Sequence, residues 1–289
     1  MSFENPEIPD GINVSEKHPL RDFASLLLAV VALSALLAAA AALGAGYLAR
    51  HVPFRFEMML ADPYLHSAPP DSAPRRYLQQ IADRLVAAAQ LPPGMQIHLH
   101  YSERPEINAF ATLGGNVVVF RGLLAKVRSE NEIAMVLAHE IVHVKHRHPI
   151  VSLGRGIAIA AMLASVSSSA GRSVAGGVMR DAGLLTQLTF TRGQENDADE
   201  TALAALVGAY GHAGGATDLF ETLQGVETSS ATAVPAVLLT HPHLSERVLH
   251  MRTLAQQHGW TFDAARQPLP AEIAQSLARA ASKDKEPGS

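Results

Sequence analysis

Four histidines fall within ten positions of one short stretch, VLAHEIVHVKHRHPI. Two of them, His139 and His143, are four residues apart, with Glu140 beside the first. On a helix each residue advances about 100° and 1.5 Å, so these two imidazoles lie one turn apart on one face. This is the H-E-x-x-H arrangement, in which two imidazoles hold a zinc ion and the glutamate reaches the water at the open metal position. An ordinary polar helix face would show the same pattern.

The other two histidines of this stretch are weaker candidates. His148 comes nine residues after His139, about 180° around a continuous helix, so we expect it to point away from the ion. His146 lies nearer the correct face and could pair with His143, but no carboxylate stands between them to act as a base. We therefore predict His139 and His143 as the ligands from this helix.

A catalytic zinc site takes three protein ligands and leaves one position open. The chain has no cysteine, so nitrogen and oxygen must supply them. A third histidine six residues after the second, as in one class of zinc proteases, is excluded because that position is Pro149. In TRGQENDADE, Glu195 and Asp199 share a helix face, so Glu195 could bind the metal while Asp199 accepts a hydrogen bond from a ligating histidine. A solvated acidic helix face is an equally good interpretation of this stretch.

The element that would carry the histidines is a helix. Ser129 and Glu132 form a capping box before an apolar run, which predicts a helix start near residue 129. Pro149 cannot lie inside a helix, so we predict that this helix ends close to residue 148. Alanine and leucine supply most of the apolar residues and only 5% of residues are aromatic, which favours helices over strands throughout the chain.

Strands are predicted in two places. Residues 95–101 alternate apolar and polar side chains, and residues 107–124 have the pattern of a strand, a Gly-Gly turn and a second strand. Residues 150–190 contain an apolar patch that is short for a membrane span. We predict a helix packed on the domain there, with membrane contact as the less favoured alternative.

Residues 23–49 form an uncharged apolar run long enough to cross a bilayer as a helix. A cleaved signal peptide would have a shorter apolar core behind a short basic start, whereas residues 1–22 form a long, net acidic tail. We therefore predict a retained transmembrane helix. A linker over 50–74, a folded domain over 75–260, and a C-terminal helix with a disordered tail over 261–289 complete the predicted organisation.

Charge restricts the partners but not the orientation. Lys17 and Arg21 precede the span while Arg50 and Arg55 follow it, so the positive-inside rule favours neither direction. The net charge of −4 and the scattered acidic residues give no basic footprint for nucleic acid. We predict no nucleic-acid partner, and the sequence predicts no oligomeric state.

Four stretches resemble, in this order, the HtpX-like and CAAX prenyl protease family, which are helical zinc metallopeptidases of the gluzincin type. They are NAFATLGGNVVVFRGLL, NEIAMVLAHEIVHVKHRH, TRGQENDAD and LLTHPHLSER. The third stretch departs from the family pattern because Thr191 stands where serine is usual. The resemblance implies a mainly α (α+β) fold: a helical zincin-like metallopeptidase domain over 75–260, a small β-sheet whose edge strand lines the cleft, and one N-terminal transmembrane helix.

By position, the resemblance implies that His139, His143 and Glu195 bind one zinc ion. It makes Glu140 the general base and Asp199 the hydrogen-bond partner of a ligating histidine.

The resemblance also places His241 and Arg247 near the cleft. There they could stabilise the developing oxyanion, or His241 could occupy the open metal position in a resting form. A simple turn at His241 and His243 is the alternative from the residues alone. Finally, an exposed edge strand would pair with extended peptide substrates through main-chain hydrogen bonds. Its residues would be Asn108, Ala109, Phe110 and Ala111.

This chain has one clear span, whereas multi-span members of the family enclose a chamber with several. It therefore resembles single-anchor or periplasmic relatives acting on envelope proteins more than a prenyl-protein protease. We expect a membrane-anchored zinc metalloendopeptidase of a bacterial inner membrane, with its catalytic domain in the periplasm and misfolded or envelope proteins as substrates. A tethered chaperone or assembly factor that binds unfolded proteins in the same groove without turnover is the alternative. Residues 150–190 match no family motif and could cover the cleft.

Overall fold

The computed structural model describes most of the chain, namely residues 19–61, 72–166, 188–227, 235–241 and 244–283. The described residues are mainly helical, with one small three-stranded sheet and a long apolar N-terminal helix, which confirms the predicted fold class. The predicted disordered C-terminal end, His243, and much of the segment without a family motif lie outside the described residues.

The helices are numbered in chain order over the described residues. They are α1 (Pro19–Ala49), α2 (Phe54–Ala61), α3 (Ala73–Ala89), α4 (Arg121–Leu124), α5 (Glu130–Lys145), α6 (His148–Val166), α7 (Arg192–Tyr210), α8 (Asp218–Glu227), α9 (Ala236–Thr240), α10 (Leu244–His258) and α11 (Ala271–Lys283). The strands are β1 (His98–Ser102), β2 (Ala109–Ala111) and β3 (Asn116–Phe120).

Helix α1 contains the uncharged run and carries its apolar side chains on the outside. Leu43, for example, is 66% exposed. Within the described residues, α1 is the one helix long and apolar enough to cross a membrane. It is buried only near its C-terminal end, at Gly46 and Ala49. An apolar helix of this length whose side chains are mostly exposed fits a bilayer span.

Helix α6 packs mainly along α1. The prediction that this helix packs on the catalytic domain was wrong. Ile150, in its first turn, joins a small buried cluster that includes Ala49. Further along, a Cβ at Gly154 would lie 3.0 Å from the Cβ of Ala49 and 3.2 Å from the main-chain oxygen of Ala45. Small residues on both helices thus allow the two backbones to approach closely.

The sheet has the order β1-β3-β2, with β1 parallel and β2 antiparallel to β3. Strand β2 is therefore an edge strand, as expected, but Asn108 and all three residues of β2 are buried, so the prediction that this edge is exposed was wrong. Between β2 and β3 the chain turns at Gly114 and Gly115, whose φ angles are 71° and 82°, as the strand–turn–strand pattern predicted. A Cβ at Gly115 would lie 2.0 Å from the carbonyl oxygen of Gln96, so only glycine fits at this position.

Helix α5 is the centre of the domain, with α3, α7 and β2 packed around it. Ser129 caps its N-terminus by accepting a 3.2 Å hydrogen bond from the backbone N–H of Glu132, as predicted. The helix ends at Lys145, earlier than predicted. Arg147 takes a φ of 61°, which breaks the helix, and Pro149 falls in the first turn of α6, where proline is well tolerated.

Candidate metal centre

The two histidines of α5 point to one place. His139 and His143 lie one turn apart with ring centroids separated by 4.5 Å, and their Nε2 atoms are 2.9 Å apart. Both rings are buried, since α5 is packed on all sides. Two imidazole nitrogens directed at a shared point can chelate one ion, as the spacing predicts.

Helix α7 brings a carboxylate to the same point. A capping box between Thr191 and Gln194 fixes the start of α7 and so places Glu195 in its first turn. Glu195 Oε2 lies 3.4 Å from His139 Nε2, and its Oε1 lies 3.7 Å from His143 Nε2. The structure thus joins the three predicted ligands from two helices that are about 50 residues apart in the chain.

A fourth group enters from the end of α9. His241 is buried, and its Nδ1 lies 3.0 Å from Glu195 Oε1 and 3.2 Å from His139 Nε2. His139, His143, Glu195 and His241 each offer a ligand atom, and these atoms all lie within 4.8 Å of one another. His241 thus lies beside the predicted ligands, and its occupation of the open metal position in a resting form stays a prediction.

The donor set fits a metal cation. It consists of three imidazoles and one carboxylate, all buried. Imidazole nitrogens and carboxylate oxygens are the ligands that zinc and similar divalent cations accept in proteins. The geometry therefore supports a metal site with nitrogen and oxygen ligands.

Glu140 lies on the other side of this cluster, against the edge strand. Its Oε2 accepts a 2.7 Å hydrogen bond from the backbone N–H of Ala111, while its Oε1 lies 3.5 Å from His241 Nε2. The carboxylate is buried. Glu140 thus stands between the ligand set and β2, within reach of a proton on a group bound at the metal position.

Asp199 and Arg247 hold the cluster from behind. Asp199 Oδ1 lies 3.0 Å from His139 Nδ1, in agreement with its predicted role. Arg247, from α10, donates two 2.7 Å hydrogen bonds to Asp199, and its Nη1 lies 3.0 Å from Glu195 Oε2. These contacts make Arg247 a positioning residue for two carboxylates. Its predicted part in oxyanion stabilisation stays a prediction.

The charges of the cluster are coupled. Burial would raise the pKa of the Glu195 carboxyl, but His241 and hydrogen bonds from His139 and His241 hold it well below its ordinary value. Burial would also raise the pKa of Asp199, and Arg247 holds it below its ordinary value. Burial and Arg247 lower the pKa of His139, yet Asp199 and Glu195 raise it to about 9. A metal cation at this site would supply the positive charge that a protonated His139 otherwise provides.

His148 does not point away from the site, so that prediction was wrong. Its Nδ1 lies 2.9 Å from Nδ1 of His143, and both rings are buried. The predicted angle of about 180° assumed a continuous helix. Because the chain turns at Arg147, His148 comes back against the outer nitrogen of a ligand. His146 packs its ring 5.3 Å from that of His148 and is not one of the four clustered groups.

Phe190 is a site residue that the sequence analysis missed. Its ring stacks on His143 with a centroid distance of 4.0 Å and an interplanar angle of 23°, and it lies 5.6 Å from the ring of His241. Phe190 immediately precedes Thr191, the first residue of the capping box of α7. Its position next to that box is the sequence feature that could have suggested a place near the site.

The space beside the site is small. A cavity of about 20 Å³ lies between Glu140, His241 and the apolar side chains of α8 and α10. The backbone N–H of Val237, in α9, donates a 3.4 Å hydrogen bond to the carbonyl oxygen of Ile107. The segment that carries His241 therefore contacts the chain just before the edge strand β2. A peptide needs far more room than this cavity provides.

A family comparison agrees with this geometry. Residues 72–255, more than half of the chain, match the profile described as "Peptidase family M48". The chain belongs to this family. Membership confirms the predicted resemblance and the prediction that the chain is a metallopeptidase. The matched M48 range holds all four clustered groups and Glu140, and it leaves out α1.

Curated relatives carry protease names. A β-barrel assembly-enhancing protease of Escherichia coli is 31% identical over 70% of this chain and 44% of its own length. A protease HtpX homolog of Campylobacter concisus is 30% identical over 66% of this chain and 79% of its own length. The mitochondrial metalloendopeptidase OMA1 of Schizosaccharomyces pombe is 29% identical over 60% of this chain and 50% of its own length. The chain spans less than half the length of the β-barrel assembly-enhancing proteases that it matches.

Proposed function

We propose that the protein is a membrane-anchored zinc endopeptidase of the M48 family that hydrolyses peptide bonds with Glu140 as the general base. One observation carries the proposal. The predicted ligands His139, His143 and Glu195 converge in a buried cluster, and the Glu140 carboxylate lies between that cluster and the edge strand β2. The alternative of a solvated acidic face at Glu195 does not fit a buried carboxylate.

Zinc is the metal that we propose for this site. It accepts histidine and carboxylate ligands in tetrahedral sites, and the chain has no cysteine to attract a softer metal. When bound, zinc would polarise the scissile carbonyl and lower the pKa of a water molecule.

The protein's own groups would then move the protons and hold the substrate. Glu140 would take a proton from the attacking water and return it to the leaving amine. Asp199 would keep the His139 ring oriented by accepting from Nδ1, and Arg247 would keep Asp199 in place.

We propose β2 as the substrate-binding edge, with Asn108, Ala109, Phe110 and Ala111 as its contact residues. An extended peptide would add to this edge by main-chain hydrogen bonds, which fix its register and select little of its sequence. Such pairing suits unfolded or β-rich chains. The name of the Escherichia coli relative, which refers to β-barrel assembly, supports envelope proteins as the substrate class.

His241 would close the site at rest. It lies in the ligand set and lines the 20 Å³ cavity, so a substrate needs it to withdraw. Displacement of the α9 segment would remove His241 and free the space next to β2 in one movement. Activity would then depend on a substrate or partner that moves α9.

We place the protein in a bacterial inner membrane, anchored by α1, with the catalytic domain in the periplasm. The exposed apolar surface of α1 supports the anchor. A reporter that is active only in the cytoplasm, fused after residue 289, tests the orientation: activity of that reporter would overturn the periplasmic assignment.

The function itself is tested with the full chain in detergent and an unfolded β-rich protein as substrate. We expect cleavage that stops after chelation and returns with about one equivalent of zinc. Binding of the unfolded protein without any cleavage at full zinc loading would favour the tethered chaperone instead.

A further inference from the structure

Helix α6 follows α1 away from the catalytic domain. Arg147, just before α6, donates a 2.6 Å hydrogen bond to the carbonyl oxygen of Val52, just after α1. One to two turns further from the domain, a Cβ at Gly154 would lie beside Ala45 and Ala49. Residues later in α6 therefore meet residues earlier in α1, so the two helices run antiparallel and both leave the domain on the same side.

The part of α6 beyond Arg155 is apolar and partly exposed. Ile157 and Ile159 are 41% and 45% exposed. Residues 156–166 contain no charge and extend about 16 Å as a helix, which is about half the thickness of a bilayer's hydrocarbon core. This segment can enter a bilayer but cannot cross it.

Arg155 marks where the apolar part of α6 begins. Its side chain lies against Gly46, and its Nη1 donates a 3.3 Å hydrogen bond to Gln194 in the first turn of α7. The guanidinium is thus directed back to the catalytic domain, as expected for an arginine whose stem lies near lipid and whose head stays in a polar environment.

We propose that the uncharged segment of α6 beyond Arg155, with Ile157 and Ile159 partly exposed on two different sides of the helix, inserts among the lipid acyl chains beside α1. This inference rests on the proposed membrane anchoring by α1. Ile157 lies one turn beyond Gly154, roughly level with Leu43 of α1, which is 66% exposed. Exposed apolar side chains of the two helices therefore lie at a similar level, so lipid that surrounds α1 at that level would also reach α6.

A second membrane contact would fix the catalytic domain relative to the bilayer, where a single helix would leave it free to tilt. Arg155 is seven residues beyond His148, about 10 Å along α6. His148 touches the ligand His143. The metal centre would thus be held close to the membrane surface, and protein segments that emerge at that surface would be the accessible substrates.

The chain has no cysteine, so single-cysteine variants of the full protein can be spin-labelled at one position each. Ile157→Cys and Ile159→Cys are compared in phosphatidylethanolamine–phosphatidylglycerol vesicles with Leu43→Cys in α1 and with Leu249→Cys, an exposed position of α10. Power saturation with oxygen and with a water-soluble nickel chelate reports the depth of each label. Zinc content is measured for each variant to show that the catalytic domain is intact.

We expect the oxygen-to-chelate accessibility ratio at Ile157 and Ile159 to match that at Leu43 and to exceed that at Leu249 several-fold. A ratio equal to that at Leu249 would overturn the inference. Low accessibility of both positions to both reagents would also overturn the inference, because it would indicate that a second copy or another protein covers this segment of α6. If Leu43 itself is accessible to the chelate, the anchoring by α1 fails, and that failure is distinguishable from a failure at α6 alone.

Discussion

The guanidinium of Arg247 donates two hydrogen bonds of 2.7 Å to the carboxylate of Asp199. That carboxylate lies 3.0 Å from Nδ1 of His139, a predicted metal ligand. All three side chains are buried. The pair therefore links α10 and α7 to the ligand on α5, and since Arg247 also lies 3.0 Å from Glu195, its loss should disturb two of the predicted ligands.

We expect Arg247→Met to lower the free energy of unfolding by about 3–5 kcal/mol, because it leaves a buried carboxylate without its partner. Urea unfolding of the detergent-solubilised, chelated protein measures this loss without a contribution from bound metal. Arg252→Met is the matched control, since Arg252 and Glu221 form a half-exposed ion pair. Its removal should cost less than about 1 kcal/mol. Equal losses for the two variants would contradict the role given to Arg247.

His148 should tune the metal affinity through His143. If His143 binds the metal through Nε2, its Nδ1–H can donate to Nδ1 of His148, 2.9 Å away. Loss of such an acceptor typically weakens metal binding by about 10–100-fold. We expect this for His148→Leu in competition with a zinc chelator, and a smaller loss for His148→Gln, which keeps an acceptor. His146→Gln serves as the control, and a similar loss there would show that the effect is not specific to His148.

Gly115 should be required for the turn that sets β2 beside Glu140. Alanine there needs a φ of 82° and puts a Cβ 2.0 Å from the carbonyl oxygen of Gln96. We expect Gly115→Ala to lower the free energy of unfolding by at least about 2 kcal/mol. Gly193→Ala, in the first turn of α7 with no atom near the added carbon, should be neutral or stabilising. Thermal unfolding of both variants compares them, and unchanged stability of Gly115→Ala would contradict the turn geometry.

His241 should restrain activity at rest. Because it lies in the ligand set and lines a cavity of about 20 Å³, its removal should open both the fourth metal position and space for a peptide. We expect His241→Ala to raise the initial rate of zinc-dependent cleavage several-fold while the zinc content stays near one per chain. A large fall in rate at full zinc content would instead favour the predicted oxyanion role.

Local spacing allowed much of the site to be predicted. The helix period predicted that His139 and His143 share a face with Glu140 beside them, although a polar helix face would show the same pattern, and the capping box at Ser129 correctly gave the start of that helix. Glu195 could not be chosen from spacing, because a buried ligand and a solvated acidic face look alike in a sequence. The family resemblance favoured the ligand, and the packing of α7 on α5 shows that the carboxylate is buried and not solvated.

Other features depended on tertiary structure. The position of His148 follows from one residue, Arg147, in the left-handed region, a conformation that no pattern in the sequence indicated. Phe190 stacks on His143 because it immediately precedes the N-cap of α7, and the packing of α7 on α5 sets its position. The packing of α6 along α1 depends on Gly46 and Gly154, which are 108 residues apart in the sequence. Such contacts form between elements that are far apart in the sequence. They therefore produce no periodic pattern of residues within either element that could predict them.

The central claim is that Glu140 acts as the base at a metal held by other residues. The most direct test measures zinc per chain and the rate of peptide-bond cleavage in the same samples of wild type and Glu140→Gln. The substitution keeps size and polarity and removes the carboxylate, so we predict about one zinc per chain in both and a fall in rate of at least about 100-fold in the variant. A Glu140→Gln protein that holds its zinc and cleaves as fast as wild type would contradict the account.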